Sequence, residues 1–146
     1  MTEQEYLDMY DVVGVALDVY NELGRGMEEP IYQEALALEF QLRGMEVERE
    51  KLLTLSYKGI KLEKFYKADF YFKGIVIEIK SVDQITSDHR AQLFNYMRIA
   101  KKERGLLFNY GEKNMHTERY LYISEDDEFV LINKSNLKLY IDSKKE

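Results

Sequence analysis

Residues 65–80, FYKADFYFKGIVIEIK, constrain the fold more than any other stretch, because they read as two short strands joined by a tight turn. Strict alternation places Ala68, Phe70, Phe72, Ile75, Ile77 and Ile79 on one face, expected to be the core side. Lys73-Gly74 falls where a two-residue hairpin turn needs a positive-φ glycine. With that turn, position i pairs with position 147 − i, which sets Asp69 directly opposite Glu78. Directly opposed cross-strand residues have Cβ atoms about 4.5–5.5 Å apart, and like charges there repel. A divalent cation that favours hard oxygen ligands, as magnesium does, would relieve the repulsion. Lys80 follows Glu78 by two residues and so projects from the same face. The plainer reading is a hairpin with a polar solvent face, on which Glu78 and Lys80 are ordinary surface charges.

At 146 residues the chain is expected to form a single domain, 1–146, large enough for a core without staples. A hydrophobic fraction of 45%, with 12 Tyr and 7 Phe, favours a folded chain over a disordered one. The absence of cysteine excludes disulfides and thiolate metal sites. Two histidines, His89 and His116, are too few for a multi-histidine zinc centre. No apolar run approaches the roughly 20 residues of a membrane span. The segment MTEQEYLDMY is polar and acidic, unlike a signal peptide. A soluble cytoplasmic protein with no membrane partner is the expectation.

The formal charge of −6 argues against coating nucleic acid by bulk electrostatics, but it leaves room for a local basic groove. Lys58, Lys61, Lys64, Lys67, Lys73 and Lys80 cluster around the hairpin and its approach, whereas acids concentrate at Glu125-Asp126-Asp127-Glu128. The alternative for the lysines is a simple solvated face.

Residues 4–23 are helical by pattern, with Leu7, Tyr10, Val13, Leu17 and Tyr20 as the expected inward stripe. Gly24-Arg25-Gly26 ends that helix, and a second runs from about Glu29 to Arg43, with Ile31, Ala35, Leu38 and Leu42 as its stripe and Gly44 as its stop. Pro30 falls in its first turn, where the missing N–H costs little. Strands are expected near 46–57, 60–72 and 75–82, the first two joined at Lys58-Gly59. A third helix spans about 87–101, capped by Thr86 or Ser87, with Leu93, Tyr96, Met97 and Ala100 facing inward. RGLLFNYG at 104–111 reads as a buried strand, and YLYIS and FVLINK flank an acidic turn as a second hairpin. The order is ααβββαβ plus a C-terminal β extension: α/β, with a mixed sheet flanked by helices.

Asp69 on one strand and Glu78-Ile79-Lys80 on the next resemble the motif of the PD-(D/E)XK nuclease superfamily, with Ala68 in place of the motif's proline. The segment GMEEPIY carries Gly26-x-x-Glu29-x-x-Tyr32, followed by Gln33-Glu34-Ala35-Leu36, and closely resembles the GxxExxY family of small bacterial and archaeal proteins. VVGVALDVYNELGRG, YKADFYFKGIVIEIKSV, HRAQLFNYMRIAK and GLLFNYG resemble further blocks of that family in order and spacing, over roughly three quarters of the chain. Gln92-x-x-x-Tyr96 resembles the Q-x-x-x-Y element of RecB-type nucleases, and its spacing puts both side chains on one helix face.

The resemblance implies a restriction-endonuclease-like core and a metal-dependent nuclease acting on DNA, or on RNA. It implies that Asp69 and Glu78 bind magnesium, with manganese as substitute, assisted by the backbone carbonyl of Ile79. Glu34 on the second helix matches an acid that related nucleases add to the metal site. Lys80 would hold or polarise the attacking water, and Gln92 and Tyr96 would orient the lysine, the water or a phosphate oxygen. Glu29 and Tyr32 could instead cap and pack a helix start, His89 could serve as a helix-start residue or approach the phosphate, and Arg119 could contact phosphate or form a surface ion pair. His116 carries no signal. Fold alone does not fix function: a non-catalytic nucleic-acid-binding module and an interaction protein, in the form of a homodimer using an exposed tyrosine-rich tail, are the rival readings.

Overall fold

The computed structural model describes residues 1–141. Thr2 opens helix α1 (Glu3–Leu23) with a capping box: its hydroxyl accepts from the Glu5 N–H, and the Glu5 carboxylate accepts from the Thr2 N–H. Helix α2 (Glu29–Leu42) carries Pro30 in its first turn, as its position in the sequence predicts. Strands β1 (Glu48–Tyr57), β2 (Ile60–Phe72) and β3 (Ile75–Lys80) follow as a meander. Helix α3 (Ser87–Ala100) then crosses to β4 (Arg104–Asn109), and β5 (His116–Ile123), β6 (Glu128–Leu131) and the short α4 (Leu137–Tyr140) complete the order.

The six strands form one sheet in sequence order, β1 to β6. Only β3 and β4 run parallel, which is why a helix must connect them. This mixed sheet flanked by helices is the expected restriction-endonuclease-like architecture. Both predicted hairpin turns form with left-handed backbone at both central residues, Lys58 (φ 50°) with Gly59 (φ 80°) and Lys73 (φ 47°) with Gly74 (φ 80°). That geometry matches the right-handed twist of the flanking strands. The pairs Phe72 with Ile75 and Phe70 with Ile77 keep the expected register.

Two hydrophobic clusters cover the two sheet faces. One joins Met9, Val12, Ala16 and Val19 of α1 and Tyr32, Leu36 and Phe40 of α2 to Phe70, Phe72, Ile75, Ile77 and Ile79. The other joins Leu93, Tyr96 and Met97 of α3 to Leu53, Ala68, Val76 and Leu107. The central strands are therefore buried on both sides, and the polar solvent face that one reading of the hairpin allowed does not exist. Ala68 also leaves the face on which strict alternation put it and packs with the α3 cluster.

The helix stripes are likewise rephased. Leu7, Tyr10 and Leu17 of α1 and Ile31, Leu38 and Leu42 of α2 are exposed, although the sequence pattern had them inward. Both helices carry apolar residues on two faces, so periodicity offers two phases. On α1 the buried phase is the one with β-branched and small residues, Val12, Val13, Val15, Ala16 and Val19, which lets the helix lie close to the sheet. Tyr110 is buried, as expected of its strand, whereas in the tail Tyr120 is buried rather than exposed. On the far face Gly105 lets α3 seat on β4, since a Cβ there would stand 2.5 Å from the Met97 sulfur. Among the described residues no helix is long and apolar enough to cross a membrane.

Candidate metal site at the fork of two strands

The ladder between β2 and β3 contains the pairs Phe72–Ile75, Tyr71–Val76 and Phe70–Ile77. One step beyond it, Asp69 and Glu78 meet. The Asp69 main-chain N–H donates to Glu78 Oε2 at 2.7 Å, and the Ile79 N–H donates to Asp69 Oδ2 at 2.9 Å. Each carboxylate thus takes the place of a main-chain acceptor on the opposite strand, and the strands open into a fork lined by both acids.

The local backbone explains how a strand can present Asp69 there. Ala68 packs with the α3 cluster and Phe70 with the α1–α2 cluster, although they are two residues apart. β2 therefore changes its facing at Asp69. On β1, the register passes from Arg49–Phe70 to Lys51–Ala68, and Glu50 between them adopts φ 53°. The pairing stays one for one across this step, so the left-handed residue is a local kink without an inserted residue, directly opposite Asp69.

Electrostatics make the fork a place of stored repulsion. Glu78 is only 4% exposed. Its carboxyl is pushed well above the ordinary range, first by burial and then by the charge of Asp69. Asp69 is raised as well, by burial above all, with the Ile79 N–H and the Gln33 amide pulling the other way. Gln33 Nε2 donates to Asp69 Oδ1 at 3.0 Å, and Arg49 Nε in turn fixes Gln33 Oε1 at 2.8 Å. Lys80 offsets part of the repulsion on both acids, while Glu29 adds to it.

Lys80 Nζ donates to Gln92 Oε1 at 2.8 Å, so the strand and α3 converge on the expected pair of side chains. Tyr96, one turn further along α3, has its phenol raised by burial and then by the charges of Glu78 and Asp69. Asp69, Glu78, Lys80, Gln92 and Tyr96 are thus brought together at one end of β3, with the Ile79 main chain between the acid and the lysine.

Glu34 is not part of this gathering. It is exposed on α2, and the side chains that α2 brings to the acid pair are Gln33, by hydrogen bond, and Glu29, by charge. Among the described residues no group of three His, Cys, Asp or Glu is assembled to hold a metal ion. A cation here would draw on two carboxylates and complete its shell with carbonyl, water and substrate oxygens. That is the habit of magnesium, which keeps several waters and uses few carboxylates. The donor set therefore fits a hard divalent cation.

The remaining sequence candidates separate cleanly. Tyr32 is fully buried, its hydroxyl donating to the Gly24 carbonyl at 2.6 Å and accepting from the Met27 N–H at 3.1 Å. The Gly26 N–H donates to the Tyr110 carbonyl at 3.0 Å, tying the same turn to the end of β4. His89 caps α3, with Nδ1 accepting from the Thr86 N–H. Arg119 is half-buried with Nε lacking a protein partner, and no ion pair of it is found among the described residues.

A second polar cluster was silent in the sequence. Glu118 accepts a bidentate pair from Arg90, both at 2.8 Å, together with His116 Nε2 at 2.7 Å and the Tyr120 hydroxyl at 2.6 Å. Burial opposes the charge of Glu118, but those donors hold it down to about 2. The strand register sets Glu78, Leu107 and Glu118 in one row across β3, β4 and β5, and Lys80, Asn109 and His116 two rows further along. Only the separation of Arg90 from Glu118 in the chain hid this contact.

A family model described as the PD-(D/E)XK nuclease superfamily matches residues 7–121. A solved structure titled "Crystal structure of SSO0001" is similar at 25% identity with a TM-score of 0.44. The match covers 57% of this chain and 47% of that one, so it spans about half the length of the solved chain. No curated protein matches.

Proposed function

The chain belongs to the PD-(D/E)XK nuclease superfamily, and from that premise we propose that it is a metal-dependent nuclease that hydrolyses phosphodiester bonds, with Asp69 and Glu78 as the metal ligands and Lys80 as the catalytic lysine. Within the superfamily we read it as a GxxExxY protein, on the strength of the five ordered sequence blocks. The observation that carries the reading is the desolvated fork. Two carboxylates are held against each other with raised proton affinity, and a lysine stands two residues further along the same strand. A fold has no stability reason to keep such a pair without a cation to neutralise it.

Magnesium, or manganese in its place, would supply positive charge at the phosphoryl oxygens and a more acidic water. Asp69, Glu78 and the Ile79 carbonyl would hold it, with Glu29 rather than Glu34 as the contribution of α2. Lys80 would orient the attacking water and stabilise the charge that develops on the phosphate. Gln92 holds the Lys80 ammonium in place, which fixes its direction before substrate arrives. Tyr96 would donate its phenolic proton as a hydrogen bond to a phosphate oxygen, being kept neutral by burial and by the nearby acids.

The test is cleavage of supercoiled plasmid and of labelled single-stranded DNA and RNA with magnesium or manganese, comparing the parent with Asp69→Ala and Lys80→Ala. Cleavage by the parent that both variants lose supports the assignment. Equal cleavage by Lys80→Ala sinks it. A parent that binds manganese and nucleic acid yet never cuts would make the domain a binding module that keeps the fold.

A further inference from the structure

β2 is 13 residues long, but its register with β3 involves only Phe70 to Phe72. The preceding stretch pairs with β1 alone, out to Tyr57 and Ile60, so β1 and β2 project as a two-stranded ribbon. A two-stranded ribbon is marginal by itself. This one nonetheless leaves Tyr57 63%, Ile60 71% and Phe65 48% exposed. Lysines stand over the ribbon's tyrosines: Lys58 Nζ lies 5.6 Å from the Tyr57 ring centroid and Lys64 Nζ 5.4 Å from that of Tyr66. Between residues 54 and 66 stand Lys58, Lys61 and Lys64 against one acid, Glu63, a local charge of 3 − 1 = +2 in a chain of −6.

A cavity of about 720 Å³ opens between this ribbon and α3, lined by Leu55 and Tyr66 on one side and by Gln92, Asn95, Tyr96 and Ile99 on the other. The Tyr66 and Tyr96 rings sit 5.7 Å apart at 46°, giving it an aromatic wall. Gln92 and Asn95 supply amides, which can both donate and accept as the edge of a nucleobase requires. Gln92 is also the acceptor of the Lys80 ammonium, so the cavity adjoins the proposed reaction centre.

We propose that this cavity takes one unstacked base of a single-stranded nucleic acid, and that the ribbon lysines follow the strand's phosphates. The proposal deepens the nuclease reading and rests on it for placing that base beside the scissile phosphate. Basic residues interleaved with aromatic platforms are how proteins hold single strands, because every base has a face to stack. A duplex could fill the cavity only by extruding a base, which costs unpairing and unstacking that a single strand does not incur. The proposed substrate class is therefore single-stranded DNA or RNA, including the unpaired arms of branched molecules.

Binding is measured by fluorescence anisotropy with a labelled oligothymidylate and a hairpin duplex of equal strand length, in calcium without magnesium. The parent should bind the single strand at least tenfold more tightly than the hairpin. Lys61→Glu/Lys64→Glu alters only exposed side chains and should weaken single-strand binding about tenfold, with a shallower dependence on salt. Tyr66→Leu keeps an apolar side chain in place and should weaken it at least fivefold, at unchanged melting temperature. Equal or tighter binding of the hairpin overturns the proposal, as does parental affinity in both variants. Single-strand preference without any cleavage in magnesium would refute the nuclease and leave the base site standing. Cleavage that neither ribbon variant alters would do the reverse.

Discussion

Tyr32 lies flat against Tyr110, ring centroids 4.2 Å apart and planes within 8°, whereas Glu29, one helical turn before it, adds its charge to the Asp69–Glu78 pair. The spacing Gly26-x-x-Glu29-x-x-Tyr32 therefore combines two kinds of work. The tyrosine locks the α1–α2 turn to the end of β4, and the turn in turn delivers the glutamate to the fork. Tyr32→Phe keeps the stack but leaves the Gly24 carbonyl and the Met27 N–H without their partner. It should destabilise the protein by about 1–3 kcal/mol in urea titration while leaving manganese affinity in place. Parental stability would show that those two hydrogen bonds hold nothing.

Glu78 gives a pH signature of opposite sign to the usual carboxylate. Its proton affinity is raised in the folded chain, so the native state retains a proton that the unfolded state has released. Stability of the metal-free protein should therefore rise as pH falls from neutrality towards the ordinary carboxylate range, and the penalty should grow as pH rises towards the raised folded-state value. Glu78→Gln can still accept from the Asp69 N–H and removes the repulsion. Its metal-free melting temperature at pH 7 should exceed that of the parent by about 2–5 °C. Magnesium should raise the melting temperature of the parent but not of the variant. A variant that melts lower than the parent without metal would mean that the fork is not strained.

The position of Lys80 separates its chemistry from its contribution to the fold. Its ammonium moderates the repulsion at the fork and is held by Gln92, but Lys80 is not part of either hydrophobic cluster. Lys80→Ala should leave stability within about 1 kcal/mol of the parent, as for changes outside the core. Cleavage should fall by at least about a hundredfold, the scale on which one transition-state donor acts. Manganese affinity by calorimetry should persist or rise, because a positive neighbour has gone. A large loss of melting temperature would make the lysine structural.

Much of this site was legible because short-range chemistry dictated it. The Lys73-Gly74 turn fixed the register, the register set Asp69 against Glu78, and Thr86 before an apolar period located the start of α3. What the sequence hid came from tertiary packing. Two apolar phases on α1 and α2 left the buried face undecided, and the sheet chose it. The same rotation explains why Gln33 reaches Asp69 while Glu34, about 100° further round the helix, points away to solvent. The reversal of facing at Asp69 lies opposite the left-handed Glu50 of another strand, a juxtaposition that no local pattern announces.

Glu118 offers the counter-test to Glu78, from the same row of the sheet with Leu107 between them. Both are buried acids, yet Glu118 is held down to about 2 because donors from Arg90, His116 and Tyr120 outweigh its burial. Its charge contributes stability that is fully present above the ordinary glutamate value and is lost as pH falls towards 2. Glu118→Gln should therefore lower stability at pH 7 by about 1–2 kcal/mol, a figure reduced for solvent screening at the half-exposed Arg90. The variant should also lose less stability than the parent between pH 5 and pH 3 in thermal melts, the reverse of Glu78→Gln in the neutral range. If both glutamine variants shift stability in the same direction at pH 7, the row does not hold one strained and one satisfied acid, and the electrostatic basis for a cation at the fork fails.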